Sequence, residues 1–151
     1  MKTAGSMFFE VGVRFDKTME NGTIKQVAEM YLVDALSFTE AEARITEFMQ
    51  PYIVGDFRVV KEKITNISEV VTSNDPTADR WYKIKHNIIT INEKTGAEKK
   101  EPQYLLFEAS SNDNARERYS HYVQNWMADV ELDTIAETKY MDFVEALKGN
   151  A

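Results

Sequence analysis

The segment YLVDALSFTEAEARITEFMQPY, residues 31–52, decides the fold, because its pattern recurs as LLFEASSNDNARERYSHYVQNW at residues 105–126. Similar residues stand 74 positions apart through a strand end and a whole helix. A spacing held over this length indicates a duplicated structural unit. The matched pairs are Val33 with Phe107, Asp34 with Glu108, Ala35 with Ala109, Ser37 with Ser111, Ala41 with Ala115, Arg44 with Arg118, Ile45 with Tyr119, Phe48 with Tyr122, Met49 with Val123 and Tyr52 with Trp126.

The composition excludes several classes of protein. The chain of 151 residues is long enough for a buried core, and it has no cysteine for disulfides, thiolate catalysis or cysteine-ligated metals. Its net charge of −7 disfavours non-specific binding to nucleic acids and to anionic membranes. No apolar run approaches the ~20 residues of a transmembrane helix, and no secretory signal is apparent. We expect an acidic cytoplasmic protein without a membrane partner.

Each copy reads as a β-hairpin, a helix and a further strand. In the first copy, apolar and polar residues alternate over residues 9–15, and a turn at Asn21-Gly22 leads into the second strand. Ser37 and Thr39 are candidate caps of the following helix, each three residues before a glutamate. The helix carries an apolar stripe of period 3.6. Its members are Phe38, Ala41, Ile45, Phe48, Met49 and Tyr52.

The strand after each helix completes the copy. We expect one strand from Phe57 through Ile67, with a β-bulge because the parity of the apolar residues changes between Val59 and Ile64. In the second copy, Asn112 or Asp113 is expected to cap the helix, and the last strand to cover residues 130–144.

These patterns predict an α+β fold of two tandem ββαβ repeats related by a pseudo-twofold axis, with a largely antiparallel sheet and both helices on one face. The expected boundaries are residues 7–72 for the first repeat, 73–79 for the linker and 80–146 for the second repeat. Both repeats are expected to form one compact domain, because either alone has a thin core. Residues 1–6 are interpreted as a tail or a remnant of an expression vector, and residues 147–151 as a C-terminal tail.

Three stretches resemble a family of small proteins from intestinal anaerobic bacteria and their phages, catalogued as a domain of unknown function. They are residues 17–49, the segment DRWYKIK at residues 79–85 and the segment EKTGAEKK at residues 93–100. The resemblance covers residues 7–144, and YLVDALSFTEAEARI is its most specific part. It implies a bacterial or phage protein without secretion, and it implies no activity, cofactor or catalytic residue.

Patterns typical of catalysis, metal binding or cofactor binding do not stand out. His86 and His121 lie on different elements without metal-ligand spacing, so His86 is interpreted as a core residue. Asp34 and Glu108 each precede a helix, where an acid that complements the helix dipole explains them better than acid–base catalysis. The six glycines are not clustered as in a phosphate-binding loop. We expect no enzymatic activity, no cofactor and no metal site.

One stretch supports a sharper hypothesis about binding. Trp81, Lys83 and Lys85 share one face of a strand, and Arg14 lies on the corresponding face of the first copy. An aromatic ring beside cations on an exposed sheet is typical of proteins that bind single-stranded nucleic acid or nucleotides. The alternative is that Trp81 seals the edge of the core while the lysines are solvated, and the negative net charge favours it.

Three functional hypotheses follow. The first is a non-enzymatic binding or accessory protein that binds an unknown protein partner, or a second copy of itself through exposed sheet edges. The second is a binder of single-stranded nucleic acid or a small nucleotide through Arg14, Trp81, Lys83 and Lys85. A small hydrolase built on converging carboxylates or on His86 comes third.

Overall fold

The computed structural model describes residues 7–146, which form eight β-strands and two α-helices. The tails expected at residues 1–6 and 147–151 lie outside the described residues. No helix within residues 7–146 combines the length and apolar character needed to cross a membrane. The elements are β1 (Met7–Thr18), β2 (Ile24–Ala35), α1 (Phe38–Met49), a 3₁₀ turn (Gln50–Tyr52), β3 (Phe57–Ile64), β4 (Ile67–Val71), β5 (Arg80–Ile91), β6 (Glu98–Ala109), α2 (Asn112–Val123), β7 (Asp129–Glu137) and β8 (Tyr140–Val144).

The strands form two four-stranded sheets with the orders β3-β1-β2-β8 and β4-β6-β5-β7. In each sheet a long antiparallel hairpin, β1–β2 or β5–β6, lies at the centre. One further strand pairs with it antiparallel, and the short strand pairs with it parallel. The prediction of a largely antiparallel α+β fold from two repeats is therefore confirmed.

The two halves of the chain exchange their short strands. β4 follows the first copy in sequence but pairs with β6 of the second sheet, and β8 pairs with β2 of the first. The described residues thus form a first unit of residues 7–65 with 139–146, and a second unit of residues 66–138. The expectation of single continuous strands over residues 57–67 and 130–144 is wrong, because the chain leaves its sheet between β3 and β4 and again between β7 and β8.

A threonine marks each point where the chain leaves its sheet. Thr65 donates from its backbone N–H and its Oγ1 to the carbonyl of Phe8, at 3.0 and 2.8 Å. Thr138, 73 positions later, donates from the same two groups to the carbonyl of Trp81, at 2.8 and 2.9 Å. The carbonyls of β1 and β5 are satisfied by these threonines just where the pairing of β3 and β7 ends.

The predicted β-bulge is confirmed. Gly12 pairs with Lys61 and Val13 pairs with Val59, so Val60 is the extra residue of β3. A Cβ at Gly12 would lie 3.2 Å from the Cβ of Lys61, which explains the glycine opposite the bulge. β7 carries an equivalent irregularity opposite β5.

Each helix packs on one face of its own sheet. Of the two candidate caps of α1, Ser37 is the one that acts, since its Oγ accepts from the backbone N–H of Glu40 at 3.1 Å. Ser111 caps α2 in the same way, accepting from Asn114 at 3.1 Å, so the expectation of Asn112 or Asp113 is wrong. Its extended backbone places the Ser111 side chain at the open N–H groups of the first turn.

Beneath each helix lies an apolar core. The first unit buries Phe9, Val11, Val13, Phe15, Tyr31, Val33, Ala35, Ala41, Ile45, Met49 and Val144 in one cluster. The second unit buries Ile84, Leu105, Phe107 and Tyr119 in one cluster, and Tyr82, Ala109 and Ala115 in another. The apolar stripe predicted for α1 supplies the helical members of the first cluster, and the matched residues Ala115 and Tyr119 supply those of the second unit.

Candidate functional site

The structure places the predicted binding residues in two different units. Arg14 is exposed on β1 of the first unit, while Trp81, Lys83 and Lys85 lie on β5 of the second. Trp81 is only 4% exposed. It is not the exposed ring on which a base could stack, which agrees with the alternative that Trp81 is a core residue.

Both lysines of this stretch already have polar partners. Lys83 donates to Oδ1 of Asn66 at 2.8 Å, and its ammonium lies 4.8 Å from the centre of the Tyr104 ring. Lys85 forms an ion pair with Asp133 at 3.2 Å. Binding a phosphate there would require these interactions to be replaced.

The matched acids Asp34 and Glu108 do not supply the side-chain oxygens that cap the helices. The serines at the N-caps supply the capping oxygens instead. Glu108 accepts from the backbone N–H of Ser73 at 2.8 Å. Asp34 is buried, and within residues 7–146 its Oδ1 has no hydrogen-bond partner.

His86 is a core residue, as interpreted from the sequence. Its side chain is 0% exposed, with Nδ1 2.7 Å from the Tyr119 hydroxyl and Nε2 2.6 Å from Oε1 of Gln103. Because Oε1 only accepts, Nε2 donates to it, and Nδ1 forms the second hydrogen bond with the Tyr119 hydroxyl. Burial raises the pKa of Tyr119 above its usual range, which keeps this hydroxyl a donor.

A pocket in the first unit, with a volume of about 180 Å³, was not predicted from the sequence. It lies where the end of α1 and the 3₁₀ turn meet the outer part of β1, β2 and β8. Aromatic rings and carboxylates line it together. These side chains are Phe15, Tyr31, Phe48, Tyr52, Glu29 and Asp142.

The aromatic wall of the pocket is continuous. The ring centres of Tyr31 and Phe48 are 5.7 Å apart with an interplanar angle of 63°, and those of Phe48 and Tyr52 are 6.3 Å apart at 44°. These are favourable tilted and edge-on geometries. Tyr52 stands at the rim and is 59% exposed, although it belongs to the predicted apolar stripe of the helix.

The polar groups of the pocket form a short chain. The Tyr31 hydroxyl donates to Oε1 of Glu29 at 2.8 Å, and Lys17 pairs with Oε2 of the same carboxylate at 3.3 Å. Burial, together with the adjacent Glu29, raises the pKa of Tyr31 well above its usual range. Its phenol therefore stays protonated and remains a donor.

Asp142 supplies the second carboxylate. Its Oδ1 accepts from the backbone N–H of Phe143 at 2.8 Å. Burial raises the pKa of Asp142, because removal from water disfavours the charged form. Among the described residues, no lysine, arginine or histidine forms an ion pair with it. The pocket thus holds one carboxylate neutralised by Lys17 and one without a cation.

A family model described as a domain of unknown function (DUF4494) matches residues 7–146. The chain belongs to the DUF4494 family. The match spans every strand and helix of both units, so the strand exchange and the pocket lie within the DUF4494 domain. The resemblance to an uncharacterised family is confirmed. No curated protein matches the chain.

The second unit of the DUF4494 domain fills the positions that form the pocket in the first. Trp126 corresponds to Tyr52, and its ring lies 5.6 Å from Tyr122 and 5.4 Å from His86. Gln103 corresponds to Glu29 and bonds to His86 instead of to a tyrosine. In the second unit, the equivalent side chains therefore form a packed cluster of rings instead of an open pocket.

Sequence reasoning missed the DUF4494 pocket because one of its walls comes from β8, more than a hundred residues from β1. Strand periodicity does not show which strand pairs with which. A signal was nevertheless present in the repeat, at three of the positions where the two copies carry different residues. These are Glu29 against Gln103, Ile45 against Tyr119 and Tyr52 against Trp126.

Proposed function

We propose that this protein is a non-enzymatic binding protein of the cytoplasm of a bacterium or phage-infected cell, and that its ligand site is the aromatic pocket of the first unit. One observation carries the proposal. The pocket is open and lined by aromatic rings in the first unit, while the matched positions of the second unit are packed.

An open aromatic pocket is costly for a folded protein. Rings that border an unfilled volume lose the dispersion contacts that a packed core supplies. Tyr52 is the matched equivalent of Trp126, yet it leaves more than half of its surface in water. A site kept open at such a cost is the usual arrangement for a ligand that completes the packing.

The size of the pocket limits its ligand. Its volume of about 180 Å³ lies below the ~300 to 1,000 Å³ of sites for drug-sized molecules. A single side chain, or the head group of a small molecule, is the appropriate size. Met49 and Met141 also line the pocket, and methionine adapts readily to the shape of a bound group.

The edge strands β3 and β7 are poorly suited to pairing with a second copy of the chain. β3 is interrupted by the bulge at Val60 and carries Lys61 and Lys63, while β7 carries its own irregularity and several acids. Bulges and charges on edge strands are how native proteins prevent edge-to-edge pairing. The pocket therefore supports ligand binding better than the edges support self-association.

Heteronuclear NMR with a library of small neutral, cationic and anionic fragments tests the proposal. Shifts are expected to cluster on residues 141–142, on Tyr52 and at the end of α1, and to weaken in Tyr52→Ala. Met127→Ala is the matched control, because this fully exposed side chain lies beyond α2 of the second unit. Hits that all map elsewhere, or a library without any hit at the pocket, would contradict the proposal.

The alternative proposal is a binder of single-stranded nucleic acid or a nucleotide through Arg14, Trp81, Lys83 and Lys85. It is supported by the spacing of cations along β5. Titration of labelled oligonucleotides at low salt tests it. Binding that disappears in Lys83→Ala and Lys85→Ala would favour this alternative, and flat curves at low salt would end it.

A further inference from the structure

We propose that the ligand of the pocket carries an alkylated ammonium group, held against the rings of Tyr31, Phe48 and Tyr52 beside the carboxylate of Asp142. This inference rests on the proposed function, since it names the chemistry of the ligand for the same site. The shared chemistry is a cation with apolar substituents, whether it belongs to a small molecule or to a methylated lysine of a partner.

The rings provide the first half of the argument. Three aromatic rings with centres 5.7 and 6.3 Å apart follow one another along the wall, and Phe15 adds a fourth. Aromatic faces carry partial negative charge, so a cluster of rings attracts a cation whose apolar substituents also gain contact. Sites for quaternary ammonium groups in proteins are built in this manner.

The carboxylates provide the second half. Glu29 already accepts from Tyr31 and pairs with Lys17, whereas Asp142 has no cationic partner among the residues the structure describes. Asp142 lines the pocket as an exposed residue whose carboxylate is only partly shielded from water, so it is open to a cation that enters the pocket. The ionised groups lining the pocket sum to one negative charge, which selects against an anion and favours a cation.

Lys17 shows that the site tolerates an ammonium group. Its Nζ lies at the edge of the pocket, 3.3 Å from Glu29, on a side chain that is half exposed. A lysine ammonium is strongly hydrated and remains near water, while an alkylated ammonium is less hydrated. The latter is therefore the cation suited to the aromatic interior.

A matched set of ligands tests the inference. Tetramethylammonium and choline are compared by NMR titration with dimethylbutanol, the neutral carbon isostere of choline, and with the carboxylate dimethylbutanoate. Both cations are expected to shift the resonances of Tyr52 and of β8, and to bind at least about tenfold more tightly than the neutral isostere.

Two conservative variants test which side chains of the pocket bind the cation. Asp142→Asn keeps the shape of the pocket but removes its charge, and it is expected to weaken binding of choline about tenfold. Tyr52→Leu keeps an apolar wall without a ring and is expected to weaken it about fivefold. Glu69→Gln is the control, because Glu69 precedes Val70 on β4 as Asp142 precedes Phe143 on β8, and these two following residues pair with the matched Leu106 and Leu32. Circular dichroism of each variant verifies that it is folded.

The outcomes separate the inference from the proposed function. Equal binding of choline and its neutral isostere, or unchanged affinity in Asp142→Asn, would overturn the cation while leaving the pocket as a ligand site. The proposed ligand site would be contradicted as well only if the wider fragment library also produced no shift at the pocket. A peptide with trimethyllysine, compared with its unmodified form, distinguishes a protein partner from a free small molecule as the source of the group.

Discussion

The first unit ends its helix in an open pocket, whereas the second ends it in a packed cluster. Tyr52 stands at the rim of the pocket, and the matching Trp126 lies against His86 and Tyr122. The strands, caps and threonine junctions are the same in both units. The comparison shows that a few side chains decide whether this framework ends in a packed cluster or in an open pocket.

Removal of the side chain at the centre of the packed cluster should cause the largest loss of stability. His86→Ala leaves a cavity and deprives Tyr119 and Gln103 of their partner, so we expect a loss of about 3 kcal/mol in the free energy of unfolding. Urea denaturation followed by tryptophan fluorescence measures it. His121→Ala, on the exposed face of α2, should change stability by no more than about 0.5 kcal/mol. Equal effects of the two substitutions would refute the assignment of His86 to the core.

Truncation of the matched rings Trp126 and Tyr52 should differ in its cost to the free energy of unfolding. Trp126→Ala removes a packed ring and should cost about 2 kcal/mol, somewhat less than a fully buried aromatic. Tyr52→Ala removes a ring that is 59% exposed and should cost less than about 1 kcal/mol. Denaturation curves of the two variants give the difference. If Tyr52→Ala were the more costly change, the pocket would have to be a structural part of the core.

Substitution of the helix caps tests a feature that the two units share. Ser37→Ala and Ser111→Ala each remove one hydrogen bond of 3.1 Å to an open backbone N–H, so each should cost about 1 kcal/mol. Thermal unfolding of both variants, with Ser37→Asp and Ser111→Asp as conservative replacements, measures the effect. Losses that differ more than threefold would show that the caps are not equivalent.

The smallest expected effect is a loss of stability of the first unit in acid. Burial opposes ionisation of Glu10, but Lys61 at 2.9 Å and the Tyr140 hydroxyl at 2.8 Å outweigh it and lower the pKa of Glu10. Its stabilising contribution is thus present above the ordinary pKa of 4.5 and is lost as the pH falls through the lowered value. The second unit lacks this carboxylate, because Lys83 pairs with Leu106 in the same way that Glu10 pairs with the matched Leu32.

Tyr140→Phe examines this contribution. The loss should be below about 1 kcal/mol at neutral pH and should shrink as the pH falls below the ordinary value of 4.5 and through the lowered pKa of Glu10, because the protonated carboxyl group no longer gains from the hydroxyl. Urea denaturation at several pH values measures it, with Tyr52→Phe as the control. A loss that does not depend on pH would mean that the hydroxyl does not act through Glu10.

Local features of the fold were predictable from the sequence. The spacing between the copies identified the duplicated elements, and the change of parity between Val59 and Ile64 identified the bulge in β3. Such features depend on neighbouring residues, whose side-chain periodicity is visible in the chain.

The features that were predicted wrongly depend on pairing between strands that are far apart in the sequence. β4 and β8 have five residues each, and nothing local indicates that they pair in the other half's sheet. The binding hypothesis assumed that one face of β5 is exposed, but Trp81 and its neighbour Tyr82 are both buried, as are Phe8 and Phe9 on β1. A strand buried on both faces at one end gives no alternation there to show which face meets water.

The exchange of short strands also orders events during protein synthesis. Translation completes the first hairpin, its helix and β3 early, yet the parallel partner of β2 is not made until residues 140–144. Until β8 is synthesised, the edge of β2 in the nascent first half has no strand paired with it. Its pocket acquires the wall formed by Met141 and Asp142 only when almost the entire domain has been translated, so a prematurely terminated chain would lack the complete pocket.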